Sequence, residues 1–106
     1  MRFTAHWLIL LLSLPLVSLA KPAKEAARTA PDARQLYATH CAVCHGPQRL
    51  GLSGPALLPE NLKRLGRKRA PKVIAEGRPA TQMQGFAGKL DARQIAALAD
   101  YIFTPP

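Results

Sequence analysis

The sequence predicts an all-α domain whose helices and loops gather around something held at its centre. Three observations lead there. Apolar residues recur at helical spacing behind good caps in several short segments, and no segment alternates like a strand. The chain has 106 residues, and a domain this small buries a thin core that usually needs a staple. It holds 2 cysteines, Cys41 and Cys44. A disulfide between residues so close closes a tiny loop and stabilises little, so the staple is something the cysteines hold.

The N-terminus reads MRFTAHWLILLLSLPLVSLAK. Arg2 precedes an apolar run from Trp7 to Leu12 that continues through Leu14, Leu16 and Val17, and Ser18-Leu19-Ala20 supplies small residues at a cut site. This is the pattern of a secretory leader, residues 1–20. The stretch from Trp7 to Ala20 contains Pro15 and falls short of the roughly 20 residues of a spanning helix, so no membrane anchor is expected once the leader is cut. No cysteine follows the cut, which excludes lipid attachment there. The chain is read as exported to the periplasm. Residues 21–31, KPAKEAARTAP, hold two prolines and no apolar periodicity and read as a flexible tether. The domain is residues 32–106.

Asp32 is a good N-cap for a first helix running to about Cys44. Leu36, Tyr37, Cys41 and Cys44 fall on one face of it, and Gly46-Pro47 stops it. Residues 46–59, GPQRLGLSGPALLP, hold three glycines and three prolines and read as an ordered loop. A short helix is expected over Glu60–Leu65, and another over Pro71–Glu76 with proline in its first turn and Gly77 beyond its end. Residues 77–89, GRPATQMQGFAGK, read as a second loop. The last helix starts at Asp91, with Gln94 completing a capping box. Its apolar stripe is Ile95, Leu98 and Ile102, and Thr104-Pro105-Pro106 ends it.

Cys41-Ala42-Val43-Cys44-His45 is the attachment signature of a c-type haem. Cysteines three apart present both sulfurs to one side, where they can bond the two vinyl groups of a porphyrin edge. The next residue lies about a third of a turn further round, which aims His45 at the iron as an axial ligand. A thioredoxin-like pair also uses C-x-x-C but wants a βαβ surround that this sequence lacks. A zinc site needs four ligands, and His40 and His45 flank the cysteines in one tight segment that would strain to supply them. An electron-transfer haem commonly takes a methionine thioether on the other face. After leader removal Met83 is the one methionine left, in a loop of small residues that permits close approach. It is the expected second ligand. The alternatives are Met83 as a core filler, which leaves an open site, and His40 as the ligand, which is expected on the surface instead. With both axial positions filled by protein, the task is to accept and donate one electron, not to turn over a substrate.

Without Arg2 the chain carries 14 Lys and Arg against 6 Asp and Glu, a balance of +8. Such a field attracts acidic partners, and export makes nucleic acid a poor one. Six of the cations crowd into KRLGRKRAPK, residues 63–72: Lys63, Arg64, Arg67, Lys68, Arg69 and Lys72. They read either as a solvated face or as a docking surface for an acidic redox protein.

Taken together, CAVCHG, the GPAL at 54–57, the loop Met83 and the helix IAALADYI at 95–102 resemble the class I cytochromes c of the small bacterial mono-haem kind, over about residues 32–103. The resemblance implies helices wrapped around one covalently bound haem c, a monomer, Tyr37 and Tyr101 where the first and last helices cross, and a Pro55 carbonyl bonded to the His45 ring. Residues 58–86 are similar to the small periplasmic cytochromes encoded with cytochrome cd nitrite reductase in denitrifying bacteria. That implies electron donation to the reductase or a part in maturing its d-type haem. The sequence departs from the family pattern at Gln84, where proline often follows the ligand methionine, and at Ala33, where glycine often eases the helix crossing. Its one tryptophan, Trp7, is in the leader, so Arg78 reads either as the partner of the haem propionate that tryptophan helps to bury in some relatives or as a solvated arginine.

Overall fold

The computed structural model describes residues 30–106. The predicted leader and all but the end of the predicted tether lie outside them. The order is α1 (Ala33–His40), α2 (Ala42–His45), a 3₁₀ turn (Pro59–Leu62), α3 (Ala70–Glu76) and α4 (Ala92–Ile102). There is no strand among the described residues, so the fold is all-α, as the periodicity predicts.

The caps act where the sequence puts them. The Asp32 carboxylate accepts from the Gln35 amide at 3.1 Å. Asp91 accepts from the Gln94 amide at 2.8 Å while the Gln94 side chain accepts from the Asp91 amide at 2.9 Å, a reciprocal box that satisfies two orphan donors of α4. Gly77 ends α3 at φ +74°. Two expectations are corrected. The first helix does not run unbroken to Cys44: the backbone opens at Cys41 (φ −116°), and α2 restarts as a single turn. The helix expected over Glu60–Leu65 shrinks to the 3₁₀ turn and is followed by loose turns up to α3. Gly66 at φ +75° interrupts helical continuation there.

α4 is the spine, and both α1 and α3 pack on it. Its stripe of Ile95, Leu98, Ala99 and Ile102 is buried against Tyr37 of α1, Ile74 of α3, Leu62 and Phe86. Tyr37 and Tyr101 meet at 5.4 Å between ring centroids, tilted by 55°, a geometry favourable to the aromatic quadrupoles. Tyr37 and Leu98 are each 1% exposed; burying a leucine side chain contributes about 2 kcal/mol. Leu62, Ile74, Phe86, Leu98 and Ile102 of this core also line a cleft.

Candidate functional site

The cleft has a volume of about 570 Å³, within the usual range for a cofactor site. It brings together all four residues singled out from the sequence: Cys41, Cys44, His45 and Met83. The break at Cys41 matters here. Cys41 leans on the core while Cys44, one turn on, is exposed at the rim. The two form no disulfide with each other. Burial pushes the Cys41 thiol up to about 11, with the neighbouring Cys44 adding to it. No group of three or more His, Cys, Asp or Glu is arranged to share a metal ion among the described residues, so the zinc reading finds no geometric support.

His45 is held by the loop that follows it. Its Nδ1 lies 2.7 Å from the Pro55 carbonyl oxygen. A carbonyl only accepts, so Nδ1 carries the proton and donates, and in the neutral ring Nε2 keeps a bare lone pair. That is the tautomer an iron ligand needs, oriented by the hydrogen bond at the other ring nitrogen. The carbonyl is placed by a compact turn: the Gly51 amide donates to the His45 carbonyl at 2.8 Å, and the Gly54 amide to the Cys44 carbonyl at 2.7 Å. A Cβ on Gly54 would lie 2.9 Å from Cε1 of His45, so only glycine lets the loop approach the ring this closely.

Two further residues lock this region. The Tyr37 hydroxyl donates to the Gly46 carbonyl at 2.7 Å, and burial pushes that hydroxyl up to about 12. Arg49, 4% exposed, donates from Nη1 to the carbonyls of Tyr101 at 2.8 Å and Thr104 at 2.9 Å. Its guanidinium also stacks 4.7 Å over the Tyr101 ring. It ties the loop after His45 to the end of α4. Sequence reasoning missed Arg49. The available signal was one cation alone in a loop that has no other charged residue before Glu60.

Met83 enters the cleft from a different segment, a turn in which the Arg78 amide donates to the Met83 carbonyl at 3.0 Å and the Met83 amide to Thr81 Oγ1 at 3.2 Å. The Phe86 amide then donates to the Ile74 carbonyl and that of Ala87 to Ala75, seating the turn on α3. Gly77 and Gly85 allow the contact. A Cβ at Gly77 would lie 2.5 Å from the Met83 carbonyl oxygen, and one at Gly85 would lie 2.5 Å from that of Ala75. His40, expected on the surface, is instead half-buried on the cleft wall, edge-on to Phe86 at 5.9 Å.

The donor set fits a haem: two thiols beside one imidazole with a free Nε2, a thioether from a second segment, and otherwise mostly apolar walls that include Leu57, Leu65, Val73 and Ile74. No helix among the described residues is long and apolar enough to cross a membrane.

Comparison with known proteins agrees with this chemistry. Residues 28–102 match the family described as cytochrome c oxidase, cbb3-type, subunit III. The chain is 38% identical over 98 residues to cytochrome c55X of Pseudomonas aeruginosa, covering 91% of this chain and 82% of that protein. It is 56% identical over 71 residues to dihydro-haem d1 dehydrogenase of the same organism, covering 67% of this chain but 14% of the dehydrogenase. The structure of that kind of enzyme, dihydro-haem d1 dehydrogenase NirN in complex with DHE, superposes with a TM-score of 0.68 at 54% identity, over 70% of this chain and 16% of that one. The c-type cytochrome NirC superposes with a TM-score of 0.62 at 32% identity, over 79% of this chain and 93% of that one. The chain therefore belongs to this family of c-type cytochromes, small all-α proteins that carry a covalently bound haem c.

Proposed function

We propose that the chain is a periplasmic one-electron carrier in which Cys41 and Cys44 hold the haem by thioether bonds and His45 and Met83 are its axial ligands. The haem supplies a one-electron change at iron. The protein supplies the rest: His45 Nε2 is aimed by Pro55, the Met83 sulfur favours the reduced state relative to a second imidazole, and apolar walls exclude water. The observation that carries this reading is the cleft itself, which gathers His45 and Met83 from separate segments. We further propose that residues 1–20 are removed on export, that residues 32–106 act as a monomeric domain, and that the chain turns over no substrate of its own.

The proposed partner is an acidic redox protein, nitrite reductase, with no role for nucleic acid or a membrane anchor. Lys63, Arg64, Lys68 and Lys72 are exposed and enter no ion pair with described residues, which supports electrostatic steering toward such a partner. Arg67 is less available because it pairs with Asp100 at 3.0 Å. The 56% identity to a dihydro-haem d1 dehydrogenase favours a second reading, an accessory part in maturing the d-type haem of the reductase. The chain spans about one seventh of that enzyme, and its activity is not carried over.

The test is the absorption spectrum of the ferric holoprotein, in wild type and Met83→Ala. A weak long-wavelength band from sulfur on iron, present in wild type and lost in the variant, is the expected result. Its absence from wild type, with ready carbon monoxide binding after reduction, would replace the carrier by an open-site sensor or peroxidase.

A further inference from the structure

His40 is a half-buried histidine on the cleft wall that the proposed ligand set does not use. It ends α1 and directly precedes Cys41, so its backbone leads into the attachment signature. Its ring meets one from a distant segment. Phe86, three residues after Met83, lies 5.9 Å away between ring centroids, at 74° between planes. That is an edge-to-face pair within the favourable range of separations. An imidazole suits the wall of an open cleft, because its apolar body packs while a polar ring atom stays wet.

Phe86 can pass this contact on. It is 7% exposed and belongs to the core. Its amide donates to the Ile74 carbonyl at 3.0 Å, so its backbone sits on α3 while its ring reaches His40. Lys89 Nζ lies 5.9 Å from the same ring centroid and donates to Gln84 Oε1 at 3.3 Å. Gln84 directly follows Met83. A line of contacts, His40 to Phe86 to Lys89 to Gln84, thus runs from the residue before the first attachment cysteine to the residue after the candidate thioether ligand. Backbone bonds seat the Met83 turn on α3, and this line ties it to α1 as well.

We propose that the His40–Phe86 contact is a latch that keeps the Met83 turn closed against α1, and that His40 is thereby a positioning residue for the Met83 sulfur. The latch is a property of the chain; its effect on the sulfur rests on the reading of Met83 as an axial ligand. Removing one ring of such a pair raises the frequency of local opening about fivefold. A turn that opens more often holds the thioether on iron less often. The midpoint potential then falls, because the thioether favours the reduced state.

The experiment compares the ferric holoprotein of wild type, His40→Ala and His40→Phe at one fixed pH. Amide hydrogen exchange is followed at Arg78, Met83, Phe86 and Ala87, whose bonds close and seat the turn. The amides of α4 serve as the reference for global unfolding. The sulfur-to-iron band and the midpoint potential are recorded on the same samples. In His40→Ala the turn amides should exchange about fivefold faster while α4 is unchanged, the band should weaken and the potential should fall. His40→Phe keeps a ring at this position and should restore all three. Unchanged turn exchange in His40→Ala, an equal acceleration in α4, or no rescue by His40→Phe would overturn the latch. Faster turn exchange with an unchanged band and potential would overturn the positioning role. The reading of Met83 fails separately: if wild type itself lacks the band, the positioning role falls with it, and the exchange rates still decide the latch.

Discussion

The two segments that bring candidate ligands to the cleft are built differently. The His45 side is fixed by interactions between distant parts of the chain: Tyr37 to Gly46, Arg49 to the end of α4, and the ring itself to Pro55. The Met83 side is a short turn closed on itself, with Ala80 at φ +60° and exposed neighbours on both sides. Its one firm attachment is the stretch of backbone lying on α3. Unfolding the His45 side disturbs the core. Lifting the Met83 turn disturbs little else, and local openings of this kind cost less free energy than global unfolding. The cleft thus has one candidate ligand set by the fold and one set by a local turn.

Three substitutions probe that contrast. The largest effect is expected at Arg49. Arg49→Ala leaves the carbonyls of Tyr101 and Thr104 without their donor, and loss of a buried charged hydrogen-bond partner costs about 3 kcal/mol. Denaturant unfolding should register it, with the sulfur-to-iron band retained in the fraction that stays folded. Gly77→Ala forces a Cβ against the Met83 carbonyl at a positive φ, at a cost of about 2 kcal/mol. Here the ferric band should weaken more than global stability falls. Equal losses in both measurements would mean that the turn is part of the core and would erase the contrast.

The smallest effect is expected at Tyr37. Tyr37→Phe removes the bond to Gly46 at a cost of about 1 kcal/mol. The hydroxyl titrates at about 12 in the folded chain against the ordinary tyrosine value of 10.0. The folded state thus holds its proton more tightly, so this contribution is complete below pH 10 and is lost as pH rises through about 12. Wild type should lose at most about 3 kcal/mol across that window from this group. The variant should lose correspondingly less, which pH-dependent denaturant melts can measure.

Much of this was legible in the sequence because it is local. Asp32 and the Asp91/Gln94 box act within one helical turn, and the stripe of α4 follows from the roughly 3.6-residue helical period. The attachment signature is five consecutive residues, and Met83 stands out by scarcity. What escaped depends on distant partners. Arg49 reaches carbonyls 52 and 55 positions away, and no local pattern announces such a pair. His40 reads as a surface residue because its neighbour Phe86 belongs to a different loop. The run at 63–72 reads as uniformly basic, yet folding divides it. Arg67 pairs with Asp100, Arg69 turns onto its own backbone, and Arg64 lines the cleft with Arg78.

The bond between His45 and the Pro55 carbonyl has a consequence for anyone moving this motif into another scaffold. Five residues carry the attachment signature, but the orientation of the imidazole comes from a carbonyl ten positions later, and the clearance that lets it approach comes from a side chain that Gly54 does not have. The portable unit is therefore residues 41–55. A graft of the first five alone would carry the signature and leave the imidazole free to turn.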